Sequence, residues 1–288
     1  MKVWIDGRIV EGSEARVPVT DHGLLYGDGI FEGIRVYGRS VFRLADHLRR
    51  FEISARAIGL ELPVGAGALE EIVLETVRAD GREESYIRLL ATRGEGALGI
   101  DPSTCPHPRI ICIVDEVRLF AEDKLSCGLD LVTASLRRPA SDALDPRVKS
   151  LNYLNSVLAR REAGLRGADD ALIINAAGLV AEASAANVFI AREGALLTPP
   201  ANDGALEGVT RASVFEIAAQ EAIPLCEKSL SRIDLLGADE VFLTGTGARI
   251  AAVATLDGQP IGQPGKRPIT ARLQEAFAEF VRHHGTPV

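Results

Sequence analysis

Asp145-Pro146-Arg147-Val148-Lys149-Ser150-Leu151-Asn152-Tyr153-Leu154-Asn155-Ser156 is the stretch on which the reading of this chain turns. Of 32 basic residues only five are lysines: Lys2, Lys124, Lys149, Lys228 and Lys266. Lys149 stands just ahead of an apolar helical pattern, with Ser150, Asn152 and Tyr153 beside it. An amine, unlike a guanidinium, can lose its proton and form a Schiff base with a carbonyl. On position alone the residue reads first as a solvated surface cation before a helix.

Composition narrows the field around that lysine. The chain has 288 residues, enough for two domains or one large one, and 47% are hydrophobic. A formal charge of −8 argues against a nucleic-acid partner. No apolar run approaches the roughly 18–20 residues that span a bilayer. Met1-Lys2-Val3-Trp4-Ile5-Asp6-Gly7 reads as a strand entering a turn and lacks the apolar core of a signal peptide, so a soluble cytoplasmic protein with no membrane partner is expected. Cys105, Cys112, Cys127 and Cys226 form no C-x-x-C pair and are expected as buried thiols. The five histidines form no H-E-x-x-H, so no catalytic metal is expected.

The pattern along the chain indicates α+β. Asp6-Gly7 suits a hairpin between Val3–Ile5 and Arg8–Val10. Strands are expected at 29–36, 40–43, 86–92 and 110–114. Leu44, Leu48, Phe51, Ala55 and Ile58 define one helix face, and 68–78 is a second helix. The pattern weakens at 117–124. This places a small N-terminal domain at 1–117, a linker at 118–124 and a larger C-terminal domain at 125–288. In the latter, a strand is expected at 129–134. Ser150 could cap a helix to Gly164 with Leu151, Leu154, Val157 and Leu158 on its buried side. Hairpins at 171–183 and 187–198, a helix from Thr210 to about 222, strands at 240–244 and 248–254, and a helix at 269–283 complete the reading. Strands in hairpins interrupted by helices speak against regular parallel alternation.

Three segments could serve a phosphorylated cofactor. In Leu206-Glu207-Gly208-Val209-Thr210-Arg211, glycine precedes a helix start whose N–H groups suit a phosphate; Thr210 is also a plain N-cap candidate. Leu243-Thr244-Gly245-Thr246-Gly247-Ala248-Arg249 ends a strand in a turn with two hydroxyls, suited to phosphate or carboxylate or simply to a tight turn. Glu182 interrupts the small apolar run Val180-Ala181-Glu182-Ala183-Ser184-Ala185-Ala186-Asn187. It reads either as a water-facing edge residue or as a buried acid needing a cationic partner, such as a protonated pyridine.

In the N-terminal half, Tyr26-Gly27-Asp28-Gly29-Ile30-Phe31-Glu32-Gly33-Ile34-Arg35-Val36 has neither G-x-G-x-x-G nor Walker spacing. Alternation puts Phe31, Gly33 and Arg35 on one strand face, and Tyr86-Ile87-Arg88 repeats the pairing of an aromatic with a cation. The arginines suit core ion pairs, or a hydrophobic pocket with a cation for a second carboxylate.

Taken together and in this order, these segments resemble the class IV (fold type IV) pyridoxal-phosphate aminotransferases, and most closely branched-chain amino acid aminotransferases. The resemblance spans roughly Val3 to Gly262 and rests on Tyr26–Arg35, His47–Arg50, Tyr86–Arg88, Lys149–Tyr153, Glu182–Phe189 and Gly208–Arg211. It implies a two-domain fold, a small α/β domain and a larger pseudo-barrel domain with pyridoxal 5'-phosphate between them, in a homodimer or higher oligomer. It implies that Lys149 holds the cofactor and shuttles the proton and that Tyr153 bonds the cofactor's phenolic oxygen. Glu182 would pair with the pyridine nitrogen, and Leu206 would pack on the ring. Arg50, Val209, Thr210 and Thr246 would hold the phosphate. Tyr26, Phe31, Gly33, Arg35, Tyr86 and Arg88 would shape the substrate side, with Tyr26 reaching the neighbouring subunit. Thr246 and Gly247 would offer donors to the α-carboxylate.

The implied reaction is a ping-pong transfer between branched-chain L-amino acids (Leu, Ile, Val) and 2-oxoglutarate. Three features depart from better-known members: Arg249 follows the turn where glutamate is common, Lys149 and Tyr153 are four residues apart rather than five, and the linker has no tryptophan. D-amino acid aminotransferase, (R)-amine transaminase and aminodeoxychorismate lyase are rivals on the same fold. The Phe31–Arg35 strand speaks against the first two, and the Tyr86–Arg88 pair against the third.

Overall fold

A computed structural model describes residues 1–116 and 120–288. Residues 117–119, where the expected boundary and linker begin, lie outside the described residues. The chain gathers into two units. One holds residues 1–116 with Val148–Asn152 and Val281–Val288; the other holds residues 120–147 and Tyr153–Phe280.

Alternating strands build the first unit. Its antiparallel sheet has seven strands in the order Gly285–Pro287, Ser40–Phe42, Gly29–Tyr37, Ser85–Thr92, Arg109–Asp115, Lys2–Ile5 and Arg8–Glu11. Asp6 and Gly7 take φ of 50° and 79°, the left-handed pair that a two-residue hairpin needs. The helices Leu44–Ala57 and Ala66–Asp80 cover the face carrying Ile30, Ile34, Val36, Ile87 and Leu89, through Leu44, Leu48, Phe51, Leu69, Val73 and Val77. Because strand side chains alternate, Glu32 shares the helix-covered face with Ile30 and Ile34, and Phe31, Gly33 and Arg35 take the other. Register places Gly33 opposite Arg88 and Arg35 opposite Tyr86.

The second unit is built on a mixed sheet. Its order is Leu225–Glu227, Ala195–Thr198, Asn187–Arg192, Glu240–Gly245, Arg249–Leu256, Leu129–Arg137, Asp170–Ile174 and Val180–Ala183, with Gln259–Pro260 paired to Arg249–Leu256. Three of the pairings are parallel. The strand at the far end, Val180–Ala183, runs directly into Asn187–Arg192 in the sheet's other half, and Ala183 N–H donates to the Ala186 carbonyl at 2.8 Å. The sheet therefore curls back on itself as a pseudo-barrel, with Leu129, Leu131, Leu172, Val188, Ile190, Val241, Leu243 and Val253 in its core. The molecule is α+β as expected, with two separate sheets.

Several local expectations are corrected. The helix expected from Ser150 starts at Leu154, with Tyr153 as its N-cap, and ends at Leu165. Its buried side is Ser156, Ala159 and Ala163, whereas Leu154, Val157 and Leu158 are exposed. The alanines let this helix approach Val132, Ala171 and Ile173 closely, an approach that leucines at those positions would prevent. The helix expected from Thr210 spans Val209–Gln220, with Gly208 as its N-cap. Cys105 and Cys112 are buried, but Cys127 and Cys226 are exposed. The elements His22–Tyr26, Arg232–Leu236 and Gly285–Pro287 are too short for periodicity to reveal. No helix among the described residues is long and apolar enough to cross a membrane.

Candidate active site

In the first unit the lysine segment runs beside the start of strand Gly29–Tyr37. Phe31 N–H donates to the Lys149 carbonyl (2.9 Å) and Leu151 N–H to the Gly29 carbonyl (2.9 Å). Asn152 Nδ2 donates to the Gly27 carbonyl (3.0 Å), and Lys149 N–H to Ser54 Oγ (3.2 Å). A Cβ on Gly29 would stand 2.5 Å from the Ala91 carbonyl oxygen and 2.7 Å from Leu151 Cδ1, so a side chain there would push this segment away. The partly buried Lys149 Nζ lies 4.6 Å from the Phe31 ring centroid.

The Arg88 guanidinium also lies 4.6 Å from the Phe31 centroid, and 5.6 Å from that of Tyr86. Arg88 donates to Tyr86 Oη at 3.3 Å. A Cβ at Gly33 would stand only 2.0 Å from that oxygen, so glycine is what lets the Tyr86 phenol lie across the strand. Phe31 thus meets an amine and a guanidinium at equal distance. Arg35, largely buried, pairs with Glu84 at 3.4 Å and lies 5.8 Å from the Tyr37 centroid. Tyr26 ends the helix His22–Tyr26, is partly exposed, and its Oη accepts from Gly99 N–H at 2.9 Å.

On the helix-covered face, Arg50 Nε and a terminal nitrogen each donate to Glu32 at 2.7 Å, and His47 Nδ1 meets the same carboxylate at 2.7 Å. Burial by itself would raise the Glu32 carboxyl, but the Arg50 charge and the His47 bond outweigh it and hold the group well below the usual carboxylate range. His47 is pushed down by burial, which the Glu32 bond only partly opposes. Arg50 is therefore a fixed guanidinium, oriented by a strand residue and not free on its helix.

In the second unit the acid of the small apolar run 180–187 is buried. Glu182 lies within the strand Val180–Ala183 and accepts from Arg138 (2.7 Å), Asn187 Nδ2 (3.1 Å) and Leu206 N–H (3.1 Å). Asn187 Nδ2 also donates to the Leu206 carbonyl (2.8 Å). A Cβ on Gly208 would fall 2.1 Å from Asn187 Oδ1, so glycine lets the chain pass that amide on entering the helix Val209–Gln220. That helix start has no side-chain cap, and Thr210 is buried in its first turn. Asn187 faces Thr244 across the sheet, and Thr244 Oγ1 is buried without a hydrogen-bond partner. Thr246 and Gly247 form the turn after strand Glu240–Gly245, where Gly245 passes close to the Ala185 carbonyl.

Residues 29–256 match the model of the family described as amino-transferase class IV. The chain is a class IV aminotransferase. It is 42% identical over 289 residues to a putative branched-chain-amino-acid aminotransferase of Methanocaldococcus jannaschii, covering 100% of this chain and 99% of that protein. It superposes with a TM-score of 0.92 on the branched-chain aminotransferase from Thermoproteus uzoniensis with norvaline, at 39% identity over 99% of this chain and 95% of that one. It also matches the T.th. branched-chain amino acid aminotransferase complexed with N-(5'-phosphopyridoxyl)-L-glutamate (TM-score 0.92, 36% identity, 98% and 94% covered). In this class IV aminotransferase the residues that spacing alone did not single out are Glu32, His47, Arg138 and Asn187. Each works through a partner on another segment of the chain. Only Glu32 carried a local signal: a charged residue amid the apolar alternation of its strand, as at Glu182.

Proposed function

We propose that the protein transfers amino groups between branched-chain L-amino acids and 2-oxoglutarate with pyridoxal 5'-phosphate, by a ping-pong mechanism. The observation that carries the substrate reading is the Phe31 ring with the Lys149 amine and the Arg88 guanidinium each 4.6 Å from its centroid. An aliphatic side chain is received by the ring, and the distal carboxylate of a glutamate-like substrate by the cation at its edge. The names of the two solved relatives, one with norvaline and one with a phosphopyridoxyl-glutamate, support the same pair of substrate classes.

The donor set fits the cofactor. The orphaned Thr244 hydroxyl, the uncapped start of Val209–Gln220 and the buried Glu182 carboxylate offer what a phosphorylated pyridine needs. Pyridoxal phosphate supplies, when bound, the carbonyl that takes up the amino group and the ring that delocalises the electron pair. Lys149 would supply the amine that holds that carbonyl and would carry the proton from the substrate's Cα. Glu182 would pair with the ring nitrogen, Tyr153 with the phenolic oxygen, and Leu206 would pack on the ring face. Arg50, Val209, Thr210 and Thr246 would hold the phosphate. Thr246 and Gly247 would receive the α-carboxylate, and Tyr26, Gly33, Arg35 and Tyr86 would shape the side-chain pocket.

The assembly proposed is a homodimer. Leu24, Leu25, Tyr26, Leu98 and Ile100 are exposed apolar residues joined through the Gly99–Tyr26 bond, and a second copy of the chain is the partner that fits them. The decisive test is a panel of half-reactions followed by absorption spectrum. L-leucine should convert the yellow protein fastest, well ahead of D-alanine and (R)-1-phenylethylamine, and Lys149→Ala should lose the yellow band. Fastest conversion by D-alanine, or a colourless wild type that pyridoxal phosphate cannot reconstitute, overturns this reading.

A further inference from the structure

Arg138 follows directly on strand Leu129–Arg137 and binds the buried acid. One of its terminal nitrogens donates to Glu182 Oε1 at 2.7 Å, whereas Asn187 and Leu206 N–H donate to Oε2. Both side chains are about nine-tenths buried, at 8% and 10% exposure. The stem of Arg138 lies against Gly204, where a Cβ would come 2.9 Å from Arg138 Cγ, and its backbone N–H is tied to the Ile174 carbonyl at 3.0 Å. The guanidinium is therefore built in rather than draped over the surface.

A buried ion pair of this kind contributes little net stability, because the cost of removing both charges from water is close to the gain from pairing them. Position is the more telling property. Neutral donors would have sufficed to aim the carboxylate, as Asn187 and Leu206 already do. A guanidinium adds a charge that cannot be lost at any ordinary pH. We infer that Arg138 is a positioning residue for Glu182 whose permanent charge keeps the proton shared by Glu182 and the cofactor's ring nitrogen on the nitrogen.

One proton can sit on the carboxylate or on the ring. A cation 2.7 Å behind the carboxylate stabilises its ionised form and weakens it as a proton acceptor, so the proton stays on the ring. Without Arg138, the buried carboxylate loses the cation that holds it ionised, keeps the neutral donors Asn187 and Leu206 N–H, and competes for the proton. This inference rests on the reading of Glu182 as the partner of the ring nitrogen, and the experiment separates the two.

Wild type, R138Q, R138M, R138K and E182Q are loaded with pyridoxal phosphate carrying ¹⁵N in the ring, and the nitrogen's chemical shift is followed from pH 6 to 9. The wild type and R138K should stay at the protonated position throughout. R138Q, which keeps a donor but no charge, and R138M should lie toward the unprotonated position at every pH, because a proton passed to the buried carboxylate stays within the pair, with its ratio between ring and carboxylate shifted by at least about tenfold. E182Q should lose the protonated signal across most of the range. If E182Q stays protonated, the Glu182 reading fails. If E182Q loses the signal while R138Q and R138M remain protonated at pH 9, only the Arg138 inference is overturned. Should the neutral variants fail to fold, R138K decides alone, because titration of its ring like that of E182Q contradicts a role carried by charge.

Discussion

The Tyr86 hydroxyl occupies the place where a side chain at residue 33 would begin: a Cβ on Gly33 would stand 2.0 Å from it. The same hydroxyl accepts from Arg88, so glycine, phenol and guanidinium form one unit. Gly33→Ala should displace the Tyr86 ring and with it the Arg88 head. A hydrogen bond to a charged group contributes about 1.5–3 kcal/mol, so kcat/KM for the glutamate-like substrate should fall roughly 10- to 100-fold. Tyr86→Phe, which removes only the oxygen, should cost the glutamate half-reaction more than the leucine half-reaction. Equal losses in both would place Tyr86 outside the carboxylate site.

Glu32 and His47 make the fold sensitive to acid. The folded-state value of Glu32 is depressed by Arg50 and His47 against the opposing effect of burial, and that of His47 is depressed by burial. For a depressed group, the unfolded chain binds more protons as pH falls, so stability is lost on the acid side. The His47 contribution is complete above its unfolded value of about 6.5 and declines below it. The Glu32 contribution follows below about 4.3. The melting temperature of the cofactor-free protein should therefore drop between pH 7.5 and 5.5, and His47→Gln should flatten that segment. A wild-type melting temperature constant over this window contradicts the assignment. Glu32→Ala, which removes a buried carboxylate held by Arg50 and His47, should cost about 3–5 kcal/mol in urea unfolding.

How much of this was legible depends on whether a residue's partner lies nearby in sequence. Glu182 was visible because a lone acid in a small apolar run has to find a cation or water. The strand Gly29–Tyr37 and the helix Leu44–Ala57 were visible as periods of two and of 3.6. Arg50 was not, because its helix pattern suits a solvated cation and its orientation comes from Glu32, 18 residues earlier on a strand. The helix Leu154–Leu165 misled for a different reason: the spacing of Leu154, Val157 and Leu158 defines an apolar face without saying what covers it. The side packed on the strands is the small one, Ala159 and Ala163.

Gly208 and Asn187 offer a test of the phosphate-side geometry. An alanine at 208 puts its Cβ 2.1 Å from Asn187 Oδ1, so the amide must turn and its Nδ2 must release the Leu206 carbonyl or Glu182. Gly208→Ala should weaken pyridoxal phosphate binding by about tenfold or more, on the scale of one lost hydrogen bond to a charged group. In an Asn187→Ala background the same substitution should cost much less, since the clash is gone. Equilibrium dialysis of the four proteins closes the cycle, and additive losses would show that the two residues act independently.

The surface around Tyr26 tests the assembly. Leu98 and Ile100 are 82% and 84% exposed, and between them Gly99 N–H is fixed on Tyr26 Oη. Two large aliphatic side chains held outward by a hydrogen bond to a proposed pocket residue are costly in water and favourable in an interface. In a dimer they would be buried, and a carboxylate placed there would lose its hydration without a partner. Leu98→Asp combined with Ile100→Asp should therefore yield a monomer in sedimentation velocity while the far-ultraviolet circular dichroism stays that of the wild type. If the Tyr26 loop completes a neighbour's pocket, the monomer should also lose transamination while still binding pyridoxal phosphate. A wild type that sediments as a monomer at micromolar concentration, or a double variant that sediments as the wild-type dimer, rejects this surface as the interface.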